Sequence, residues 1–492
     1  MTAPEAAVFR KGFRGISIGV MGRGMEMHSH TEGMKSEGRA VSPYKLLNIR
    51  LFIVFRVLFN ARFYYPVFTI LFLDYGLSLE QFALLNTVWA FTIVLAEVPS
   101  GALADLLGRK LLLVATSLLM IAEMSLIAFV PLGNSQLVFW AFLINRVLSG
   151  LAEAMASGAD EALAYDTLVG HGCAGEWPKV LEVQMRAQNV GYIFAMTLGA
   201  VVYDPGVVNR VLGWVGYDGV VNQQVTMRFP IYLTLIFGLL ALAVTLRMRE
   251  PQGGGKQAEQ RSGPVTPWEV FRLIGQAGGW ILRTPMALAI ILFAMTFDHT
   301  LRMIVTLTSK YYRLIDLPEA SFGLLGSAVA VIGLFVPRGA RLMTERFSPG
   351  RNALLLSGSM LLVLFLLTLF VPYLGLLPMI AVFIGLMLTS FFTSHYLNVI
   401  TESSQRATVL SFKGLAFNAA YGFIGLAFAG LIQHFRQGQA ALHPDWPVLL
   451  LEDQAFKATL GCFPWYLALG LVLVSLLCLP RLFRQRSSAG RS

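Results

Sequence analysis

Long apolar stretches alternate with short polar ones along most of the chain, from about residue 45 to about residue 482. Each apolar stretch is close to or above the ~20 residues that a helix needs to cross a bilayer. The polar stretches between them are short, as expected where neighbouring helices run antiparallel. The pattern therefore predicts an all-α membrane protein with about twelve transmembrane helices. They are expected at about residues 46–73, 79–104, 111–130, 136–157, 183–203, 229–246, 286–308, 320–337, 353–371, 375–398, 411–433 and 462–480.

Polar segments divide this pattern and predict the domain organisation. The segment after the sixth apolar stretch contains Pro-Gln-Gly-Gly-Gly-Lys, which is typical of a flexible linker. A capping box at residues 266–269 follows, and Trp268, Phe271 and Ile274 form the apolar face of a short amphipathic helix. The predicted segments are a disordered cytoplasmic tail (1–44), a six-helix half (45–246), a cytoplasmic linker (247–285), a second six-helix half (286–482) and a cytoplasmic tail (483–492).

Composition agrees with a membrane protein and narrows the partners. Of the 492 residues 56% are hydrophobic and 13% charged, whereas soluble domains carry about 25% charged residues. The net charge of +10 comes from cations at helix ends, which meet anionic lipid headgroups, so we do not expect nucleic-acid binding. The three cysteines have neither metal-ligand nor disulfide spacing. The expected partners are a small-molecule substrate and membrane lipids, with no metal or cofactor, in a monomer.

The distribution of lysine and arginine predicts the orientation. The loops near residues 74–80, 133 and 372 contain neither residue, while the alternate loops are rich in both. Because these cations accumulate on the cytoplasmic side of short loops, both termini are expected in the cytoplasm and the chain in the cytoplasmic (inner) membrane. Lys310, Arg313 and Lys457 are exceptions that lie near acidic residues on the other side.

The turn between the second and third predicted helices carries a dense motif, Glu97-Val-Pro-Ser-Gly-Ala-Leu-Ala-Asp-Leu-Leu-Gly-Arg-Lys110. Gly101 and Gly108 are the positions that permit a tight turn. Residues 337–340, Pro-Arg-Gly-Ala, repeat the form of residues 99–102, Pro-Ser-Gly-Ala, at the equivalent turn of the second half. The two six-helix halves are therefore predicted to be pseudo-symmetric.

This motif resembles the G-x-L-A-D-x-x-G-R-K signature of the major facilitator superfamily, which lies between helices two and three. The matching positions are Gly101, Leu103, Ala104, Asp105, Gly108, Arg109 and Lys110. The resemblance implies the superfamily fold and alternating access over residues 45–482. It also implies that Asp105 caps the start of helix eleven near Ser411, and that Arg109 holds a neighbouring carboxylate. Glu97, two turns before Asp105, is expected in the same gate network.

The seventh predicted helix has the densest set of ionisable residues within the bilayer. Asp298 and Arg302 are four residues apart on one helical face, and His299 is adjacent. Such groups are costly in lipid and are functional candidates by default. One interpretation makes Asp298 or His299 the proton carrier and Arg302 a counter-ion or anion ligand. The other makes them a fixed structural pair.

The first and fourth predicted helices carry further candidates. Arg56 and Asn60 share a face and are predicted to line a substrate cavity, with structural pairing as the alternative. Arg146 and Glu153 also share a face, and Arg146 to Gly150 resembles the R-x-x-x-G motif that the superfamily's proton-driven exporters carry on helix four. Either these two residues serve proton transfer or they compensate each other's charge.

Four polar residues complete the candidates. Asp160, Glu161 and Arg406 lie at equivalent turns of the two halves and are predicted to form salt bridges between the halves. His395 is interpreted as a packing histidine, with cavity lining as the alternative.

These features favour a secondary transporter of a small solute, coupled to protons and not an enzyme. Three arginines predicted near the cavity suggest an organic anion, unless carboxylates pair with them. One alternative is a multidrug/proton antiporter, although the fifth-helix G-P-x-x-G-G pattern of that class is absent. A transporter-like membrane sensor is the other. No P-loop for an ATP-driven pump occurs.

Overall fold

The computed structural model describes residues 42–157, 159–217, 219–251, 272, 275, 278–401 and 406–489. No β-strand occurs among these residues, and helices make up most of them. The all-α prediction is confirmed. The predicted tail up to residue 41, and Trp268, Phe271 and Ile274 of the predicted amphipathic helix, lie outside the described residues.

The N-terminal half runs from residue 42 to Arg247 and contains the first six spans. Apolar runs of membrane-spanning length drive each long helix. The helices are α1 (Leu47–Asn60), α2 (Phe68–Asp74), α3 (Leu79–Leu107), α4 (Arg109–Phe129), α5 (Ser135–Ala156), α6 (Ala159–Gly170), α7 (Trp177–Tyr203), α8 (Pro205–Trp214), α9 (Gln223–Thr226) and α10 (Phe229–Arg247).

The C-terminal half starts at Pro285 and contains the other six spans. Its helices are α11 (Pro285–Thr306), α12 (Thr308–Leu314), α13 (Ser321–Gly333), α14 (Val336–Arg346), α15 (Pro349–Leu367), α16 (Leu376–Ile400), α17 (Arg406–Leu442), α18 (Val448–Gly461) and α19 (Phe463–Ala489). Within the described residues, eleven helices or helix pairs are long and apolar enough to cross a membrane. The bent pair α7–α8 brings the number to twelve, as predicted.

The first span is broken, although its apolar pattern predicts one continuous helix over residues 46–73. Helix α1 ends at Asn60, a short 3₁₀ turn follows at Tyr65–Val67, and α2 completes the crossing. Pro66 lacks a backbone N–H and so cannot continue the helical ladder. The backbone N–H of Phe63 donates instead to the hydroxyl of Thr234, at 3.1 Å.

The motif turn is tighter than predicted. Helix α3 continues through Pro99 and Gly101 to Leu107, and the chain reverses at Gly108 alone, with φ of 88°. The hydroxyl oxygen of Ser100 lies 2.8 Å from the carbonyl oxygens of both Glu97 and Ala154, and its one hydrogen donates to one or the other. Such hydroxyl bonds are one way in which membrane helices tolerate proline. In the second half the equivalent residues 337–340 likewise lie inside a helix, α14.

Helix α7 packs backbone to backbone on both of its sides. A Cβ atom at Gly199 would lie 1.8 Å from the carbonyl oxygen of Phe63 in the broken first span. A Cβ atom at Gly323, on α13 of the other half, would lie 2.0 Å from the carbonyl oxygen of Met196 on α7. Both glycines are therefore required by close approach, and the second joins the two halves directly.

We name the two ends of the helix bundle by residues found there. The Asp74 end holds the turns after Asp74, Phe129 and Leu367, and the Arg109 end holds the turns at Arg109 and Phe347. The sequence predicts the Asp74 end outside the cell and the Arg109 end in the cytoplasm.

Candidate functional site

A central cavity of about 580 Å³ lies between the two halves. The broken first span and α7 line it from the N-terminal half, and α11, α12, α13 and α16 line it from the C-terminal half. Helix breaks after Asn60 and Thr306 bring irregular backbone to this cavity, where membrane proteins tolerate it. Most of its wall is aromatic or aliphatic, and includes Tyr65, Phe68, Tyr192, Met196, Tyr312, Phe322, Val329, Phe383 and Met387.

The polar groups of this cavity are neutral amides and hydroxyls. Gln188 and Asn189 contribute from α7, and Thr306, Thr308 and Ser309 from the other half. The Ser309 hydroxyl accepts from the backbone of Thr69 at 3.0 Å, so it also joins the halves. Among the described residues, no Asp, Glu, Lys, Arg or His lines the cavity. Sequence reasoning missed these lining residues, because neutral polar groups in an apolar helix give no signal of their own.

The predicted pair of Asp298 and Arg302 on the seventh span is present, and it lies one helical turn below the cavity. Arg302 Nη2 lies 3.0 Å from Asp298 Oδ2, and both side chains are partly buried. Arg302 also donates to the side chain of Asn418 at 3.0 Å and the carbonyl of Phe417 at 2.9 Å, and lies 4.4 Å from the ring centre of Tyr421. The pair thus spans α11 and α17, and its role in proton transfer stays a prediction.

His299 faces away from this pair. Its Nδ1 contacts the carbonyl of Met295, and its Nε2 lies 2.7 Å from the hydroxyl of Tyr466 on α19. The side chain is buried and does not line the central cavity. Its geometry is that of a packing residue between α11 and α19.

Arg56 does not line the central cavity, contrary to the prediction. Its Nε lies 3.0 Å from Asp160 on α6, and its guanidinium also contacts Glu161. Asn60 donates to the carbonyl of Arg56 at 2.8 Å and therefore serves its own helix. Asp160 and Glu161 pair within the N-terminal half, and the side chain of their predicted partner Arg406 lies outside the described residues.

Arg146 and Glu153 do not compensate each other. Two nitrogens of Arg146 donate to the side-chain oxygen of Asn145, at 2.8 and 3.0 Å, and its guanidinium lies 5.3 Å from the ring centre of Phe72. Glu153 is exposed and has no ion-pair or hydrogen-bond partner among the described residues.

The motif at the Arg109 end holds the N-terminal half together. Arg109 contacts the carboxylate of Asp166, as the resemblance implied, and donates to the carbonyl of Ala162 at 2.8 Å. The carboxylate of Glu250 accepts from the backbone N–H groups of Arg109 and Lys110, at 3.0 and 2.9 Å, and so caps α4. A carboxylate is favoured at a helix N-terminus. Sequence reasoning missed Glu250, which lies 141 residues from Arg109.

The remaining candidate residues include two whose side chains are described, Glu97 and His395. Glu97 is half-buried on α3, and its predicted gate contact is not seen among the described side chains. His395 is exposed and stacks on Phe391 with ring centres 6.2 Å apart, away from the central cavity. The side chains of Asp105, Arg406 and Ser411 lie outside the described residues, so the predicted cap of helix eleven does as well, and of Gly101 only its place in α3 is described.

A network that sequence reasoning did not assemble joins the halves at the Asp74 end. Two guanidinium nitrogens of Arg313 lie 3.1 Å from the two oxygens of Asp74, and one lies 2.5 Å from Glu319. The hydroxyl of Tyr203 also donates to Asp74. The signal was present in the sequence, since Arg313 is an exception to the charge bias in a loop near acidic residues.

A second ion pair across the halves lies at the same end. Arg436 Nε, on α17, is 3.2 Å from Glu80 at the start of α3. Nearby, Lys310 contacts Asp453 within the C-terminal half. Both ion pairs that join the halves among the described residues are therefore at the Asp74 end.

Comparison with known proteins agrees with this architecture. The sequence profile of the Major Facilitator Superfamily matches residues 51–432, well over half of the chain. The chain belongs to this superfamily. It is accordingly an integral, multi-pass membrane protein and a transporter.

Similar proteins of known structure include transporters of several solutes. A bacterial homologue of the human lysosomal transporter Spinster, inward-facing and unoccupied, is 16% identical, with a TM-score of 0.66 over 90% of this chain and 98% of its own. The nucleoside transporter NupG, as a variant, is 12% identical, with a TM-score of 0.65 over 88% and 99%. A D-xylose–proton symporter is 14% identical, with a TM-score of 0.60 over 87% and 97%. At these identities the likeness confirms the fold.

Curated relatives include the quinolone resistance protein NorA of Staphylococcus aureus. It is 22% identical over 281 residues, which are 57% of this chain and 63% of that protein. The chain thus matches less than two thirds of the length of these relatives.

Proposed function

We propose that this transporter carries small amphipathic solutes without net negative charge, in exchange with or together with protons. The observation that carries the proposal is the central cavity, with its aromatic and aliphatic wall and neutral polar groups. Sites of this composition take ligands with apolar surface, and a few amides and hydroxyls fix their orientation.

An anionic solute is less well supported than the sequence suggested. Arg56 and Arg302 have carboxylate partners, and Arg146 is held by Asn145 and aromatic rings. None of the three lines the central cavity. Among the described residues the cavity wall offers an anion no cation, so a negative charge buried there would be uncompensated.

Our proposal includes alternating access, which the asymmetry between the two ends supports. The halves are joined by ion pairs and by direct backbone contact at the Asp74 end. In our proposal the solute enters and leaves the cavity in this state through the Arg109 end, and the transport cycle breaks the contacts at the Asp74 end.

Asp298 is our proposed proton carrier. Its charge is balanced by Arg302, which is itself fixed by Asn418 and Phe417 on α17. Protonation of Asp298 removes its attraction to Arg302 and so changes how α11 is held against α17. A bistable contact of this kind, one turn below the cavity, couples proton binding to helix position.

Efflux of drugs is a second candidate. It is favoured by the similarity to NorA, whose name describes quinolone resistance, and by the composition of the central cavity. Expression in a drug-sensitive bacterial host should then raise the inhibitory concentration of lipophilic cations, and an inactive variant should not.

The first experiment is a proton-flux assay in proteoliposomes. We expect wild-type protein to move protons when tetraphenylphosphonium or a neutral aromatic solute is added, and not when an organic anion is added. Asp298→Asn should abolish this proton movement. Asp445→Asn, the same change at an exposed loop residue, is the matched control and should leave it intact.

Each alternative has its own outcome. Proton movement that survives Asp298→Asn would remove Asp298 as carrier and direct attention to Glu153. Proton movement with organic anions alone would contradict the proposed solute class. Solute flux without protons would indicate a facilitator, and no flux with any solute would favour the sensor.

A further inference from the structure

A second cavity lies wholly within the C-terminal half, at the Arg109 end. It has a volume of about 700 Å³ and is lined by α11, α15, α16 and α19. We call it the C-half crevice. Most of its lining is aliphatic, with the aromatic residues Phe293, Phe392 and Tyr396 and a few hydroxyl and amide groups among them.

The C-half crevice opens to the lipid-facing surface between α15 and α19. At the Asp74 end these helices touch, since the rings of Phe365 and Trp465 pack edge to face with centres 5.4 Å apart. Toward the Arg109 end they separate, and Leu354 and Leu476 in the crevice wall are 75% and 68% exposed. The opening is therefore at the depth of one membrane leaflet.

The inner wall carries a buried polar atom without a partner. Asn352 is fully buried, and its side-chain nitrogen donates to the carbonyl of Met343 at 3.1 Å and the hydroxyl of Tyr396 at 2.8 Å. Its side-chain oxygen has no hydrogen-bond partner. Buried acceptors are usually paired, so this oxygen favours a small opening of the wall toward a ligand that brings a donor.

Three arginines lie next to crevice-lining residues or to a crevice-lining helix along the chain. Arg351 follows a lining residue at the start of α15, Arg481 lies between lining residues near the end of α19, and Arg283 precedes α11. All three are exposed, and none has an ion-pair partner among the described residues. The first turn of α15 adds the partial positive charge of a helix N-terminus. The mouth is thus complementary to an anionic group.

We propose that the C-half crevice binds one anionic phospholipid from the leaflet at the Arg109 end. An acyl chain lies between α15 and α19, the phosphate meets Arg351 and Arg481, and a headgroup hydroxyl donates to the side-chain oxygen of Asn352. A free phosphate would leave the apolar walls uncovered, and a neutral lipid would leave the arginines unpaired. The lipid fills the gap between α15 and α19 and fixes their spacing.

The test measures lipid retention by the purified full-length protein with native mass spectrometry. Wild-type protein should retain one phosphatidylglycerol in preference to phosphatidylcholine, and excess inorganic phosphate should not displace it. A cation near a membrane surface contributes about a fivefold gain in affinity for anionic lipid, so Arg351→Gln with Arg481→Gln should lower that preference about 25-fold. The matched control is Arg338→Gln with Arg341→Gln, at exposed positions of the same half and end that do not line the crevice.

A second arm tests the crevice itself. Ala353→Trp places an indole in the crevice and should lower retention of both lipids. In wild-type protein, phosphatidylglycerol with a photoreactive acyl chain should label peptides that contain Leu354 and Leu476, which needs no variant to fold. Equal retention of the two lipids, an unchanged preference in the crevice double variant, or labelling elsewhere would each overturn the proposal.

Discussion

The two ends of the bundle use charge in opposite ways. At the Asp74 end, Arg313 and Arg436 of the C-terminal half pair with Asp74 and Glu80 of the N-terminal half. At the Arg109 end, among the described residues, ion pairs such as that of Arg56 with Asp160 stay within one half. Charge therefore holds the halves together at one end and stiffens a single half at the other.

This difference separates two properties that a transporter needs. Each half has to move as a unit, which requires strong contacts inside it. The halves also have to part, which requires contacts between them that can be broken at acceptable cost. A variant at each end should therefore give a different kind of defect.

The largest effect is expected for Arg313→Gln. The substitution leaves Asp74 and Glu319 partly buried without their cation, which should favour opening of the Asp74 end by about 3 kcal/mol, or about 150-fold in the conformer ratio. Spin labels at Val220 and Tyr373, one on each half, should report longer distances by pulsed electron resonance. Arg313→Lys should give an intermediate change, and an unchanged distance distribution would contradict the prediction.

Arg56→Gln should reduce stability without opening the bundle. Asp160 is buried, so loss of its partner should cost about 1–3 kcal/mol. We expect a lower thermal unfolding midpoint in detergent and the same Val220–Tyr373 distances as in wild type. Longer distances without a loss of stability would show that this pair acts between the halves.

Gly108→Ala should have a smaller effect on the same half. An alanine is strained at φ of 88°, and its Cβ would lie 3.2 Å from the carboxyl carbon of Glu250. Together these should cost about 1–2 kcal/mol and displace the cap of α4. Thermal unfolding measures the loss. Gly358→Ala on α15 is the control and should be neutral or stabilising, because a Cβ there would meet no side chain and no backbone of another element within 4 Å.

The smallest effect is a pH dependence at the Asp74 end. Burial raises the pKa of Glu319 above its ordinary value, although Arg313 lowers it in part. The closed end thus binds this proton more tightly than an open, hydrated one, so closure should be favoured as pH falls through the raised pKa and weakened as pH rises above it. Spin-label distances at pH 5 and pH 8 test this. Glu319→Gln should reduce the dependence, and an opposite sign would contradict the assignment.

The parts predicted well from the sequence are those that local spacing determines. Hydropathy over ~20 residues located the spans, and a separation of four residues placed Asp298 and Arg302 on one face. Arg109 contacts the carboxylate of Asp166, as the resemblance implied. These features depend on neighbours within a few turns or on a motif.

The parts predicted poorly depend on distant partners. Asp74 and Arg313 are 239 residues apart, and Arg56 and Glu161 are 105 apart. Side-chain type alone does not show which of several carboxylates an arginine meets. The break in the first span was missed for a related reason, since the bond from Phe63 to Thr234 spans 171 residues and leaves no mark on the apolar pattern.

The glycine contact between α7 and α13 has a consequence for how the Asp74 end responds to ionic strength. Salt screens attraction between partly exposed charges, so it should weaken the pairs of Arg313 and Arg436. The contact of Gly323 with the backbone of Met196 is made by van der Waals packing of uncharged atoms, which salt does not screen. At the Asp74 end, dissolved ions therefore weaken the ion pairs between the halves but not the backbone contact. In concentrated salt, that backbone contact determines how strongly this end stays closed.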